Sequence, residues 1–138
     1  MLAKNDLKVL SQARIDDAIV LFHAGRFSSA FYLAGYSVEL AIKVCISDLF
    51  QTGIIPDKGL VNAIYVHDIE KLINIAGLKP ALQEKLKNDA QFAAYWGIAS
   101  KWNEQSRYCV NDSVTAGHLI LSINDPDHGV LQWLKMHW

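Results

Sequence analysis

The sequence is poor in the residues that most often announce a chemical site. It has two cysteines, Cys45 and Cys109, far apart and without CxxC spacing. Neither a disulfide framework nor a zinc knuckle is indicated, and both read as small core residues. It has three arginines, Arg14, Arg26 and Arg107, and a net charge of −1, which excludes a global basic field able to draw in nucleic acid. Binding of that kind would have to be local, in a cleft that concentrates a few side chains. Charges interrupt the apolar windows well before the roughly 20 residues a membrane helix needs, and the opening MLAKNDLKVL has no apolar signal core. The expectation is a cytoplasmic chain without membrane association. GxGxxG, GxxxxGK, HExxH and GxSxG motifs are absent. The five histidines, His23, His67, His118, His128 and His137, include no pair at i,i+4 spacing, so a His-based metal site would have to be assembled from distant segments. No metal or cofactor is expected. No stretch sustains period-two alternation, so no sheet is expected either.

What is present is apolar and helical in its spacing. A hydrophobic content of 51% over 138 residues suits one domain, residues 1–138, with an ample core. Leu7, Leu10, Ile15, Ala18, Ile19 and Phe22 place a first helix over residues 6–24, with Asp6 as N-cap and Gly25 as stop. Ser28 after Phe27 starts a second and longest helix, running to about Phe50, with Gly53 and Pro56 beyond it. Residues 53–66 read as a loop with one helical turn near Leu60 to Tyr65. A third helix opens at His67 and Asp68 and stops at Gly77. A short one spans 80–88, Asp89 caps a longer one through Gln105, Asp112 or Ser113 caps another through Ile123, and Asp127 starts a last turn carrying Val130, Leu131, Trp133 and Leu134. The expected class is all-α, an antiparallel up-and-down bundle of four to five main helices.

Within the second helix, YLAGYSVELAIKVCI carries one acid and one base, Glu39 and Lys43, at i,i+4. At about 100° per residue, Tyr32, Tyr36, Glu39 and Lys43 fall within roughly 60° of one another, and Ser28, Ser29 and Ser47 extend the stripe. Two readings are open: a solvated face, or a polar groove or subunit interface. On the opposite side Ala30, Ala34, Val38, Ala41 and Cys45 form a strip of mostly small side chains that lets a second helix approach closely, inside the chain or across a dimer.

Other candidates are weaker. NDPDHG gathers Asp125, Asp127 and His128, but Asp-Pro-Asp is ordinary turn and cap chemistry. His67, at a helix start, suits a structural bond to a loop carbonyl. Trp133 and Trp138 suit the core and its edge better than a stacking platform for bases. KWNEQSRYCVND is more informative, because it places Arg107 and Tyr108 at a helix end. There an arginine either neutralises its own helix's carbonyls or a carboxylate, or holds phosphate with its forked guanidinium.

GRFSSAFYLAGYSVELAIKVCI, then HDIEKLINIAG, then WNEQSRY together resemble the HEPN family of helical domains, over roughly residues 10–135. The strongest element is the pattern from Gly25 to Lys43, supported by His67-Asp68 and Arg107-Tyr108 in order. The resemblance implies a helical bundle, frequently a homodimer, in a family linked to RNA cleavage, nucleotide binding and toxin–antitoxin or defence systems, with some members acting beside a small nucleotidyltransferase. In its nuclease members, arginine stabilises the phosphate and a histidine four to six residues beyond transfers the proton, without a metal. Here Arg107 matches, but Tyr108 follows it and the histidine window holds Asp112, Ser113 and Val114. Asp112 could substitute only if its pKa were raised.

By the same resemblance, Glu39 and Lys43 line a groove near Arg107. The expected site is therefore a cleft for an anion or nucleotide formed by Tyr32, Tyr36, Lys43 and Arg107 with Tyr108, Glu39 orienting Arg107 or Lys43. The expected function is a nucleotide- or RNA-binding interaction module. The alternatives are a metal-independent endoribonuclease with Arg107 and Asp112 in its site, and a structural partner of a nucleotidyltransferase.

Overall fold

The structure, a computed structural model, describes residues 2–138. Among them there is no strand. Five helices have ten or more residues: α1 (Lys4–His23), α2 (Phe27–Ser47), α5 (Lys79–Asn88), α6 (Ala90–Ala99) and α7 (Ser113–Asn124). Three are shorter: α3 (Lys58–Ala63), α4 (Ile69–Ile75) and α8 (Val130–Lys135). A 3-10 turn at Glu104–Tyr108 lies between α6 and α7.

Local chemistry sets most boundaries. Gly25 adopts φ +77°, which lets Arg26 N donate to Leu21 O at 2.8 Å and Gly25 N to Phe22 O at 3.0 Å, closing the end of α1. α2 starts directly afterwards, so α1 and α2 pack as an antiparallel hairpin. Gly77, at φ +72°, ends α4 by the same device, with Leu78 N on Ile73 O at 3.1 Å. Carboxylates of Asp57, Asp68, Asp89 and Asp112 cap α3, α4, α6 and α7.

Several expected boundaries are corrected. Asp6 lies in the first turn of α1, where it complements the helix dipole, and the N-cap is Ala3. Ser28 lies inside α2, and its Oγ accepts from Asn111 N at 2.9 Å. α2 ends at Ser47 instead of Phe50, because the next amides donate three residues back, in 3-10 fashion. α8 starts at Val130 with Gly129, not Asp127, as N-cap; a Cβ at Gly129 would strike the carbonyls of Ile123 and Asp125. The helix expected over 89–105 breaks after Ala99, and Asn103 caps the 3-10 turn instead. Trp102 accounts for this break: its ring lies on Gly35, where a Cβ would overlap it, and 5.8 Å from the ring of Tyr32. Trp102 is buried.

α2 is the central element, packed by α1, α4, α7, α8 and the 3-10 turn. Its strip of Ala30, Ala34, Val38, Ala41 and Cys45 is wholly inside the chain, so it serves internal packing. Burial pushes the Cys45 thiol up to about 11, which leaves it an inert packing group. α2 is long and apolar enough to cross a membrane, a test that the buried core helix of a globular fold also passes, and 67% of its apolar window is buried within the fold. Phe92, Trp96 and Trp133 knit α6 to α8, with Phe92 and Trp133 centroids 5.4 Å apart.

Candidate functional site

The polar stripe of α2 divides into two regions of different character. The first centres on Glu39, whose side chain is 1% exposed. Its Oε2 accepts from Lys43 Nζ at 3.5 Å, and its Oε1 lies 2.8 Å from His67 Nδ1. A carboxylate paired with Lys43 accepts hydrogen bonds only, so His67 Nδ1 carries a proton and donates. The other ring nitrogen, Nε2, lies 3.3 Å from Glu104 Oε2 on the 3-10 turn. His67 thus joins α2 to the α4 entry and to the turn. Its side chain is 41% exposed and borders a cavity of about 440 Å³ with Tyr65, Asp68, Asn103 and Glu104.

The second region lies at the N-terminal end of α2. Leu21, Ser28, Ser29, Tyr32, Leu33 and Arg107 line a cavity of about 400 Å³. Arg107 has no ion-pair partner among the described residues. Its guanidinium lies 5.3 Å from the ring centroid of Tyr108, which is exposed. Asn111, whose backbone N–H holds Ser28 Oγ, has a buried Nδ2 without a partner. Tyr32 and Tyr36 stack at 6.1 Å between the two regions. Burial raises the Tyr36 pKa, and the negative charge of Glu39 adds to the effect, so its phenol remains a neutral donor.

The single expected cleft is therefore not what the chain builds. Tyr32 and Arg107 share a cavity, whereas Lys43 borders a small apolar one with Leu2, Leu7, Ile46, Ser47, Phe50 and Ile64. Both oxygens of Glu39 are taken by Lys43 and His67, and neither is paired with Arg107. Arg107 sits on the 3-10 turn and not at a helix end. His67 bonds a carboxylate in place of the expected loop carbonyl. Asp112 caps α7 by accepting from Thr115 N at 2.8 Å. That bond holds its pKa below the usual value, opposite to what a proton-transfer role would require.

In NDPDHG, Asp125 Oδ2 accepts from His128 N at 2.8 Å, and His128 Nδ1 lies 2.8 Å from Asp89 Oδ2. No group of three or more His, Cys, Asp or Glu among the described residues could hold a metal ion. A further groove, about 320 Å³ and mainly apolar, runs between α1 and α7 and is lined by Ile19, Phe22, Gly117, Ile120 and Leu121.

Fold and site together define an all-helical chain with one buried ionic centre and one open cationic cavity. Comparisons with protein-family models, with curated proteins and with solved structures find no match.

Proposed function

We propose that this chain is a HEPN-like helical module that binds a phosphate-bearing ligand, a nucleotide or a segment of RNA, in the Arg107 cavity. The observation that carries this reading is the unpaired Arg107 guanidinium sharing a cavity with Ser28, Ser29 and Tyr32. A guanidinium offers phosphate a planar fork of donors. Serine hydroxyls supply further donors, and a tyrosine face is a platform on which any base stacks. With a net charge of −1, attraction for phosphate has to be concentrated locally, and this cavity concentrates it. Binding is favoured over cleavage because the cavity lining offers no histidine or carboxylate beside Arg107.

Equilibrium binding of a mixed-sequence RNA and of a nucleoside triphosphate, with Arg107→Ala prepared identically, tests the reading. The expected result is a loss of at least about tenfold in affinity, the worth of one charge-assisted contact. Equal binding by both proteins would remove the Arg107 site. RNA cleavage in EDTA, lost in Arg107→Ala, would replace binding with endoribonuclease activity. We further read the protein as a homodimer joined through the apolar groove between α1 and α7, where Leu121 is exposed. Light scattering at twice the chain mass is the expected result. A monomer that co-purifies with a nucleotidyltransferase would favour the structural-partner alternative.

A further inference from the structure

His67 presents its two ring nitrogens to different surroundings. Nδ1 donates to Glu39 Oε1 at 2.8 Å, and the Glu39 side chain is 1% exposed. Nε2 lies 3.3 Å from Glu104 Oε2 without forming a hydrogen bond with it. Both residues border the cavity of about 440 Å³, with Tyr65, Asp68 and Asn103. We propose that His67 Nε2 and Glu104 Oε2 are the two protein ligands of a divalent transition-metal ion of the zinc type, with Glu39 fixing the imidazole ring and water filling the remaining positions. The site shares no residue with the Arg107 cavity and does not rest on it.

A neutral imidazole whose Nδ1 carries the proton has a lone pair on Nε2, and a carboxylate oxygen beside it is a second electron donor. Two such donors are held side by side by a cation between them. Their spacing suits tetrahedral zinc: bonds of about 2.0–2.1 Å to nitrogen and about 2.0–2.2 Å to oxygen, meeting near the tetrahedral angle, set the ligand atoms about 3.3 to 3.5 Å apart. Glu39 supplies the outer contact. Metal-binding histidines almost always donate their other ring N–H to a carboxylate, a carbonyl or water, which fixes the ring and makes it a better ligand. Here that carboxylate is buried and held in turn by Lys43, so the ring is aimed before an ion arrives. Glu39, Glu104 and Asp68 also outnumber Lys43, which leaves the surroundings negative and attractive to a cation. Imidazole as a ligand favours zinc, cobalt or nickel over magnesium and calcium, which take oxygen ligands. No third His, Cys, Asp or Glu among the described residues joins the pair, so the site is open, unlike the closed four-ligand shell of a structural zinc.

Titration of the whole chain with zinc ion at neutral pH, read by calorimetry and by the nitrogen shifts of the His67 ring, tests the site. The wild type should bind one zinc ion, with the larger shift at Nε2. Glu39→Gln should weaken that binding by about 10- to 100-fold, the usual cost of losing the outer partner of a ligating histidine, and His67→Gln and Glu104→Ala should each weaken it at least as much. The two ligand side chains are 41% and 40% exposed, so these last two variants should keep the fold, verified by circular dichroism, even where Glu39→Gln does not. His128→Gln, altered at the separate pair with Asp89, should bind zinc as the wild type does. If His67→Gln or Glu104→Ala binds zinc as tightly as the wild type, or zinc leaves the Nε2 shift in place, the site is overturned. Binding that is lost in His128→Gln overturns it as well.

Discussion

The two ends of the α2 stripe treat charge in opposite ways. Glu39 and Lys43 are withdrawn from water and matched to each other, whereas around Arg107 a single charge faces an open cavity with no carboxylate to neutralise it. A buried ion needs its partners, and removing one strands the other. An exposed, unpaired arginine contributes little to stability and keeps its donors free for a ligand. The same stripe of one helix therefore divides between holding the fold and meeting a ligand, and Tyr32, Tyr36 and Trp102 form the aromatic partition.

The largest disruption should come from the buried centre. Glu39→Ala leaves Lys43, whose side chain is 12% exposed, without its counter-ion, and should cost about 4 kcal/mol in urea unfolding. Breaking the partition comes next. Gly35→Ala places a methyl group in the Trp102 ring and should cost about 3 kcal/mol, with an altered tryptophan emission spectrum. Asp68→Ala removes the cap beside His67, where Asp68 Oδ1 accepts from Lys71 N, and should cost about 1 kcal/mol.

The smallest effect should appear at the surface pair far from both regions. The Phe92 amide, then His128 and Lys85, hold the Asp89 carboxyl well below its ordinary 3.8, and the bond to Asp89 raises His128 above its ordinary 6.5. Asp89 adds stability above 3.8 that is lost as pH falls through its depressed value. His128 adds stability below 6.5 that is lost as pH rises through its raised value. The wild type should therefore be slightly more stable than His128→Gln between those two values, and the advantage should vanish at higher pH.

Local signals in the sequence account for much of the fold. Asp68, Asp89 and Asp112 are caps, and Gly25 and Gly77 are stops, because capping depends on residues a few positions apart. The small strip of α2 was legible from period alone, and so was the stripe opposite it. The partners of that stripe were not. Glu39 meets His67 across 28 residues, and Ser28 meets Asn111 across 83, separations at which no periodicity speaks. The break after Ala99 was hidden for the same reason, since α6 yields there to a tryptophan that packs on a glycine in α2. Arg107 was recognisable as a candidate, but the division of its cleft from Lys43 needed the fold.

Thermal unfolding with and without a nucleoside triphosphate, for the wild type, Glu39→Ala and Arg107→Ala together, tests the central division in one measurement, because a bound ligand raises the midpoint. Arg107→Ala should unfold within about 0.5 kcal/mol of the wild type and lose the ligand-induced shift, while Glu39→Ala should unfold about 14 °C lower without ligand. An Arg107→Ala protein that is destabilised as much as Glu39→Ala, or that keeps the full ligand shift, would contradict it.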